Sequence, residues 1–277
     1  MMKRATMALV CLLAGAHAGR ATPIGLGLRV EHKQFLKFER TMVYLQMQSR
    51  LDAPLVFGHE EGNVILDLDV RRASGERMDP FREQPIVSAI SVGGGETRTI
   101  RFDLSRWYDL SGTGRYLVKA TARWKNRQFV SGSVAFDVVR GMELARVRQY
   151  LPGYDDVERI YSVRYVAREE TEVAFLRVDE APSGTNYGVF ELGPIIRLFR
   201  PTIEIGKGGR VTVTHQSRPY CYTRTAFLSA RTSVYRVDQS YHLPDGRPYP
   251  FPGSENASGS TNAMPTGPSL PKLPPLK

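Results

Sequence analysis

Across residues 115–140 apolar and polar side chains alternate one by one. Tyr116, Val118, Ala120, Ala122 and Trp124 fall on one side, Leu117, Lys119, Thr121 and Arg123 on the other. A period of two marks a strand with one face on a core and the other mostly in water. Lys125-Asn126-Arg127 then turns the chain, and Phe129, Val130, Val134, Phe136 and Val138 bring it back. The pattern predicts a β-hairpin that closes a sheet. Val64, Leu66, Leu68 and Val70, alternating with Ile65, Asp67, Asp69 and Arg71, predict a second half-buried strand. Shorter strand patterns cover residues 29–38, 42–47, 84–92 and 99–104, residues 51–57, broken by Pro54, read as a turn and a short strand, and Ala73-Ser74-Gly75-Glu76 and Gly93-Gly94-Gly95 read as turns. Short strands, regular turn signals and no sustained helical period indicate an antiparallel sandwich over residues 28–140.

Gly141 is the expected joint to a second β-rich domain, residues 141–242. Residues 142–151 fit either a helix, with Leu144, Val147 and Leu151 at i, i+3 and i+7, or a departing strand; Pro152-Gly153 ends either. Strand patterns follow at 160–166, 172–178, 187–192, 195–199, 202–205, 210–215, 220–228 and 233–241, with Glu169-Glu170 and Gly206-Lys207-Gly208-Gly209 as hairpin turns. The apolar run over residues 189–205 reads as the buried centre. About 100 residues are too few for a propeller of four or more blades, so two packed sheets are expected. From residue 243 to 277 Pro, Gly, Ser and Asn dominate. Such a segment buries too little apolar surface to offset its ordering entropy and is expected to be a disordered Pro-rich spacer. The whole chain is therefore read as all-β.

Composition adds a location. Met1-Met2-Lys3-Arg4, an uncharged run over residues 5–16, and small residues ending at Ala18 or Ala21 read as a secretory signal over residues 1–21. No later segment reaches transmembrane length. An exported protein, periplasmic or extracellular, is expected. Cys11 lies in the signal, which leaves Cys221 as a lone thiol and no internal disulfide. Cys221, between Tyr220 and Tyr222, reads as a small buried hydrophobe. The formal charge is +10; cleavage after Ala21 removes Lys3, Arg4 and Arg20 and leaves 35 basic against 28 acidic residues, a net of +7. A basic exported protein is biased toward polyanions: acidic glycans, cell-wall polymers, anionic lipid head groups or stray nucleic acid.

The segment Asp103-Leu104-Ser105-Arg106-Trp107-Tyr108-Asp109-Leu110, followed by Gly114-Arg115-Tyr116-Leu117-Val118, resembles the penultimate-strand region of bacterial immunoglobulin-like sandwiches, some of which sit beside secreted metallopeptidases. The resemblance implies a fold and no activity. The chain has no His-Glu-x-x-His: His59-Glu60-Glu61-Gly62-Asn63 lacks the second histidine, and no catalytic residue carries over.

Candidate chemistry is sparse. His32, His59, His215 and His242 stand at no metal-ligand spacing from one another, and no Cys-x-x-Cys occurs, so no metal or cofactor is expected. Gly206-Lys207-Gly208-Gly209 lacks the Ser or Thr after lysine that a phosphate loop needs. Asp67 and Asp69 share a strand face and read as solvated carboxylates. The best binding candidate is His215, Arg218, Tyr220, Tyr222 and Arg224. If the strand alternation holds, Tyr220, Tyr222 and Arg224 share one face, where tyrosines stack on sugars and arginines pair with anions. The expected function is a non-enzymatic binding or structural role at the cell envelope. An anionic polymer or a protein is the partner, and no specific nucleic-acid binding is expected. The rival expectation is a secreted hydrolase of glycan or peptide, and a third is a component of a larger assembly.

Overall fold

A computed structural model describes residues 22–58, 63–82 and 85–250. The residues read as a signal, with Cys11, the segment His59-Glu60-Glu61-Gly62 and residues 251–277 of the Pro-rich stretch lie outside the described residues. Within the described residues the regular structure is strand, apart from two short 3-10 turns, Leu104–Arg106 and Lys207–Gly209, and there is no α-helix. No helix among the described residues is long and apolar enough to cross a membrane. The chain divides into two compact units. The first runs to Gly141 and takes back Val166–Glu170; the second holds Met142–Tyr165 and everything from Thr171 on.

The first unit is two sheets over one core. The smaller sheet pairs β1 (Ile24–Val30), β3 (Met42–Ser49) and β8 (Thr97–Asp103) in that order. The larger orders β2 (Gln34–Leu36), β11 (Val134–Val139), β9 (Gly114–Trp124), β5 (Val64–Arg72), β4 (Leu55–Gly58) and β7 (Ile90–Val92), with β10 (Arg127–Val130) on β9 and β6 (Arg77–Met78) on β5. β9 lies inside it between β11 and β5, and its alternation sets its buried face. Val118, Ala120 and Ala122 are fully buried, while Lys119 and Arg123 face out. Leu45 and Met47 from β3 share this core with Phe57 and Phe136. The turn is Lys125-Asn126, both left-handed (φ +46° and +58°), with Arg127 already paired to Trp124. Two neighbours in the larger sheet run parallel, β2 with β11 and β4 with β5.

The segment between β8 and β9 is tied down by its own side chains. Asp103 Oδ1 accepts hydrogen bonds from the backbone N–H of Thr41 and of Ser105, each at 3.1 Å, and from Ser105 Oγ at 2.6 Å. Tyr108 donates to the Leu68 carbonyl at 3.0 Å. Tyr116 donates back to the Gly112 carbonyl at 2.7 Å, and its ring stacks on Phe136, centroids 5.5 Å apart.

The second unit is two four-stranded antiparallel sheets. One orders β12 (Met142–Leu151), β13 (Tyr154–Arg168), β14 (Thr171–Ala181) and β15 (Asn186–Pro194); the other orders β16 (Thr202–Ile205), β17 (Arg210–Arg218), β18 (Cys221–Ser229) and β19 (Val234–His242). Of the two readings for residues 142–151 the strand holds, because β12 pairs with β13 from Met142 to Leu151, with irregularities between Glu143 and Ala145 and between Tyr150 and Leu151. Tyr161, Val163, Ala174, Leu176 and Val178 from one sheet meet Val211, Val213 and Phe227 from the other. Beyond His242 the chain keeps a regular course. Leu243 N–H donates to Arg247 O at 2.7 Å and Tyr249 N–H to Tyr241 O at 2.9 Å, so Leu243 to Pro250 fold back along β19.

Candidate binding surface

The β17–β18 hairpin carries all five residues singled out in the sequence, and it sorts them differently. Arg218 pairs with Cys221, so Pro219-Tyr220 is the turn. Tyr220 has φ +58° and is 74% exposed. The strand expected from residue 220 therefore starts one residue later, and Tyr220 does not share a strand face with its neighbours. Tyr222 and Arg224 do share one, the outer face of the sheet, where Tyr222 is half-buried and Arg224 exposed. Arg218 is also exposed, at the end of β17.

His215 faces the other way. It pairs with Thr223 on the inner face and is 2% exposed. Its Nε2 lies 3.2 Å from the Pro194 carbonyl, and its Nδ1 has no protein partner. Burial pushes its pKa down to about 4, against a smaller upward pull from the Pro194 carbonyl. The neutral ring donates from Nε2, and His215 does not reach the surface. Beside it Thr223 Oγ1 donates to Ser217 Oγ at 2.7 Å, and Ser217 Oγ lies 3.7 Å from the buried Cys221 Sγ. The thiol is a packed side chain, as its flanking tyrosines suggest.

The outer face has a component that the sequence pattern hid. The run over residues 189–205 is not uniformly buried. Leu192 and Ile195 are, but Leu198 is 79% and Phe199 57% exposed. Pro194 and Pro201 break the strands on either side, and the connection between β15 and β16 turns those two side chains outward. Ile196 N–H donates to the Gln216 carbonyl at 2.8 Å, which seats the connection on the end of β17. Phe199 then lies against Tyr222, centroids 6.0 Å apart and planes tilted by 54°. Arg200 Nε donates to the Leu144 carbonyl at 2.9 Å. Arg197 is held by Glu172 at 2.6 and 2.7 Å, with its guanidinium 4.5 Å from the Tyr165 ring centroid. Arg224 reaches Glu204 at 3.6 Å, but both side chains are more than half exposed, so the pair is loose and weak.

The result is a pair of exposed Phe199 and half-buried Tyr222, with exposed Leu198 next to Phe199 in the chain, Tyr220 at the hairpin tip, and Arg218 and Arg224 exposed on the same hairpin. An exposed apolar cluster rimmed by polar groups is the usual composition of a contact surface. Chemically it offers rings for stacking and guanidinium groups for anions. Tyr220 adds a local argument. A left-handed φ costs an L-residue about 1–2 kcal/mol that Gly avoids. The fold itself is better served by Gly at 220, so the ring stands there against local stability.

Among the described residues no three His, Cys, Asp or Glu side chains are grouped to hold a metal. Asp69 is engaged by Arg71 at 2.9 Å and by Arg77 at 3.9 Å.

No family model matches the chain. No curated protein matches it either. Among solved structures it is similar to the Pseudomonas fluorescens alkylpurine DNA glycosylase AlkC bound to DNA containing an abasic site analogue. The identity is 18%, over 42% of this chain and 30% of that one, with a TM-score of 0.30. At that level the likeness carries no argument about activity or ligand.

Proposed function

We propose that this is an exported, non-catalytic protein of the cell envelope that attaches to an anionic polymer through the aromatic and arginine surface of its second unit. The observation that carries the reading is the exposure of Leu198, Phe199 and Tyr220 beside Arg218 and Arg224. The formal charge of +10 and the signal-like start of the chain support the same reading. An immunoglobulin-like character for the first unit is supported by Tyr116. Its hydroxyl returns to the backbone four residues upstream, at Gly112, as a tyrosine corner does.

The test is sedimentation of the chain with the envelope fraction of its own host across a salt series. Binding that falls steeply as salt rises is expected, since screening lengths shrink from about 30 Å at 0.01 M to about 3 Å at 1 M. Tyr220→Gly, which relieves the left-handed strain, and Arg224→Glu are expected to weaken it without loss of folding. An envelope fraction that leaves the protein in the supernatant at low salt overturns the proposal. So does binding that neither variant changes.

A further inference from the structure

The first unit carries a separate groove at the tip of the β9–β10 hairpin. It has a volume of about 640 Å³ and is lined by Arg123, Lys125 and Arg127 around Trp124, with Asn63, Asn126 and Gln128. Among the described residues no carboxylate lines it. Other arginines of this sheet have acidic partners: Arg71 meets Asp69 at 2.9 Å and Arg115 meets Asp137 at 3.0 Å. Arg123, Lys125 and Arg127 form no ion pair among the described residues. The hairpin brings all three to one tip, with Arg127 on the face of Trp124 and Arg123 on the opposite face. Arg127 is the cross-strand partner of Trp124, Arg123 precedes that residue and Lys125 follows it. Like charges gathered at one tip repel one another, and an anion in the groove relieves that repulsion.

The remaining lining selects the kind of anion. Trp124 is half-buried, packs partly on the core and carries the Lys125 ammonium 4.5 Å from its ring centroid. It forms an apolar wall with a charge at its edge, which suits a sugar ring bearing an acidic group. Each of the three amides offers both a donor and an acceptor, the complement of a hydroxyl; a phosphodiester backbone presents acceptors alone. Single-stranded nucleic acid is usually held by several stacked rings, and this groove has one. We infer that the groove binds an acidic oligosaccharide, with Lys125 and Arg127 on its carboxylates. This site is distinct from the surface of the second unit and does not depend on it.

The test is calorimetric titration of the whole chain at low salt with hexagalacturonate, with maltohexaose as the neutral control and a thymidine dodecamer as the polyanion control. Saturable binding of hexagalacturonate is expected, at least about tenfold tighter than maltohexaose. The double variant Lys125→Ala, Arg127→Ala changes only exposed side chains and is expected to lose most of that affinity, while Lys207→Ala, an exposed cation that neither surface uses, keeps it. Trp124→Phe, with folding checked by circular dichroism, is expected to weaken it further. No saturable binding overturns the inference, as does equal binding of maltohexaose. Equal loss in Lys207→Ala places the binding outside the groove and also overturns it. Tighter binding of the dodecamer, lost in the double variant, assigns the groove to nucleic acid instead.

Discussion

The guanidinium carbon of Arg159 lies 3.2 Å from the centroid of the Tyr187 ring. Arg159 is fully buried, and its Nη1 is 3.0 Å from Glu180 Oε2. Its Nη2 donates to the carbonyls of Ala230 and Arg231. One cation from β13 thus joins β14, β15 and the turn between β18 and β19, and so links both sheets of the second unit. A buried charge of this kind is tolerable only while its partners remain.

Glu180→Gln is therefore expected to destabilise the second unit by about 2–4 kcal/mol, less than a fully buried pair costs at most because Glu180 is 22% exposed. Arg159→Met removes the charge along with its need for a partner, and is expected to cost less than Glu180→Gln. Urea unfolding of both variants checks the order. The reverse order means that the ion pair contributes little.

His215 makes stability depend on pH. Its folded pKa of about 4 lies below the ordinary value of 6.5, because burial disfavours the imidazolium. Between those values the unfolded chain takes up a proton that the folded chain does not. Stability present above about pH 6.5 is lost as pH falls toward 4, by up to about 3 kcal/mol. Unfolding free energies of wild type and His215→Leu at pH 7, 5.5 and 4.5 give the difference. The wild type should fall more steeply; parallel curves sink the assignment.

The β16–β17 turn separates two effects of glycine. Gly208 has φ +66° and open space where a Cβ would stand; Gly209 has φ +77°, and its Cβ would sit 2.5 Å from the Ser229 carbonyl. Gly208→Ala is expected to cost about 1 kcal/mol, from backbone strain alone. Gly209→Ala adds a clash with backbone and should cost about 2 kcal/mol more. Thermal unfolding of the pair is the measurement.

Tyr116 combines a packed ring with a hydrogen bond. Tyr116→Phe keeps the stack on Phe136 and loses the bond to Gly112, for an expected cost of about 1 kcal/mol. Tyr116→Ala empties a fully buried site and should cost about 3–5 kcal/mol. Equal losses would show that the bond, not the ring, carries the stabilisation.

Tyr220→Gly exchanges strain in the folded state for entropy in the unfolded one, so its stability should stay within about 1 kcal/mol of wild type. Envelope binding should weaken nonetheless. A stable variant that still binds fully would remove Tyr220 from the surface.

Local alternation by itself determined the all-β class. It placed β5 and β9 and their buried faces, because a period of two is written into neighbouring residues. It also marked the turns at Glu169-Glu170 and Gly206 to Gly209, and the one at Lys125-Asn126-Arg127, of which Arg127 belongs to the returning strand. Only the tertiary structure decided the rest. The parallel pair β2–β11 joins strands about 100 residues apart, and the parallel pair β4–β5 joins sequence neighbours that alternation alone would read as antiparallel. Residues 142–151 carry spacing compatible with either helix or strand, and pairing with β13 settles it. Tyr220 looked like part of a strand because the turn Pro219-Tyr220 contains no Gly or Asn to announce a positive φ. Leu198 and Phe199 looked like core because hydrophobicity alone does not say which way a connection turns. His215 and Arg224 lie on the same hairpin, yet one faces the core and the other water. Which face of a sheet is covered depends on the second sheet, and that sheet comes from a distant part of the chain.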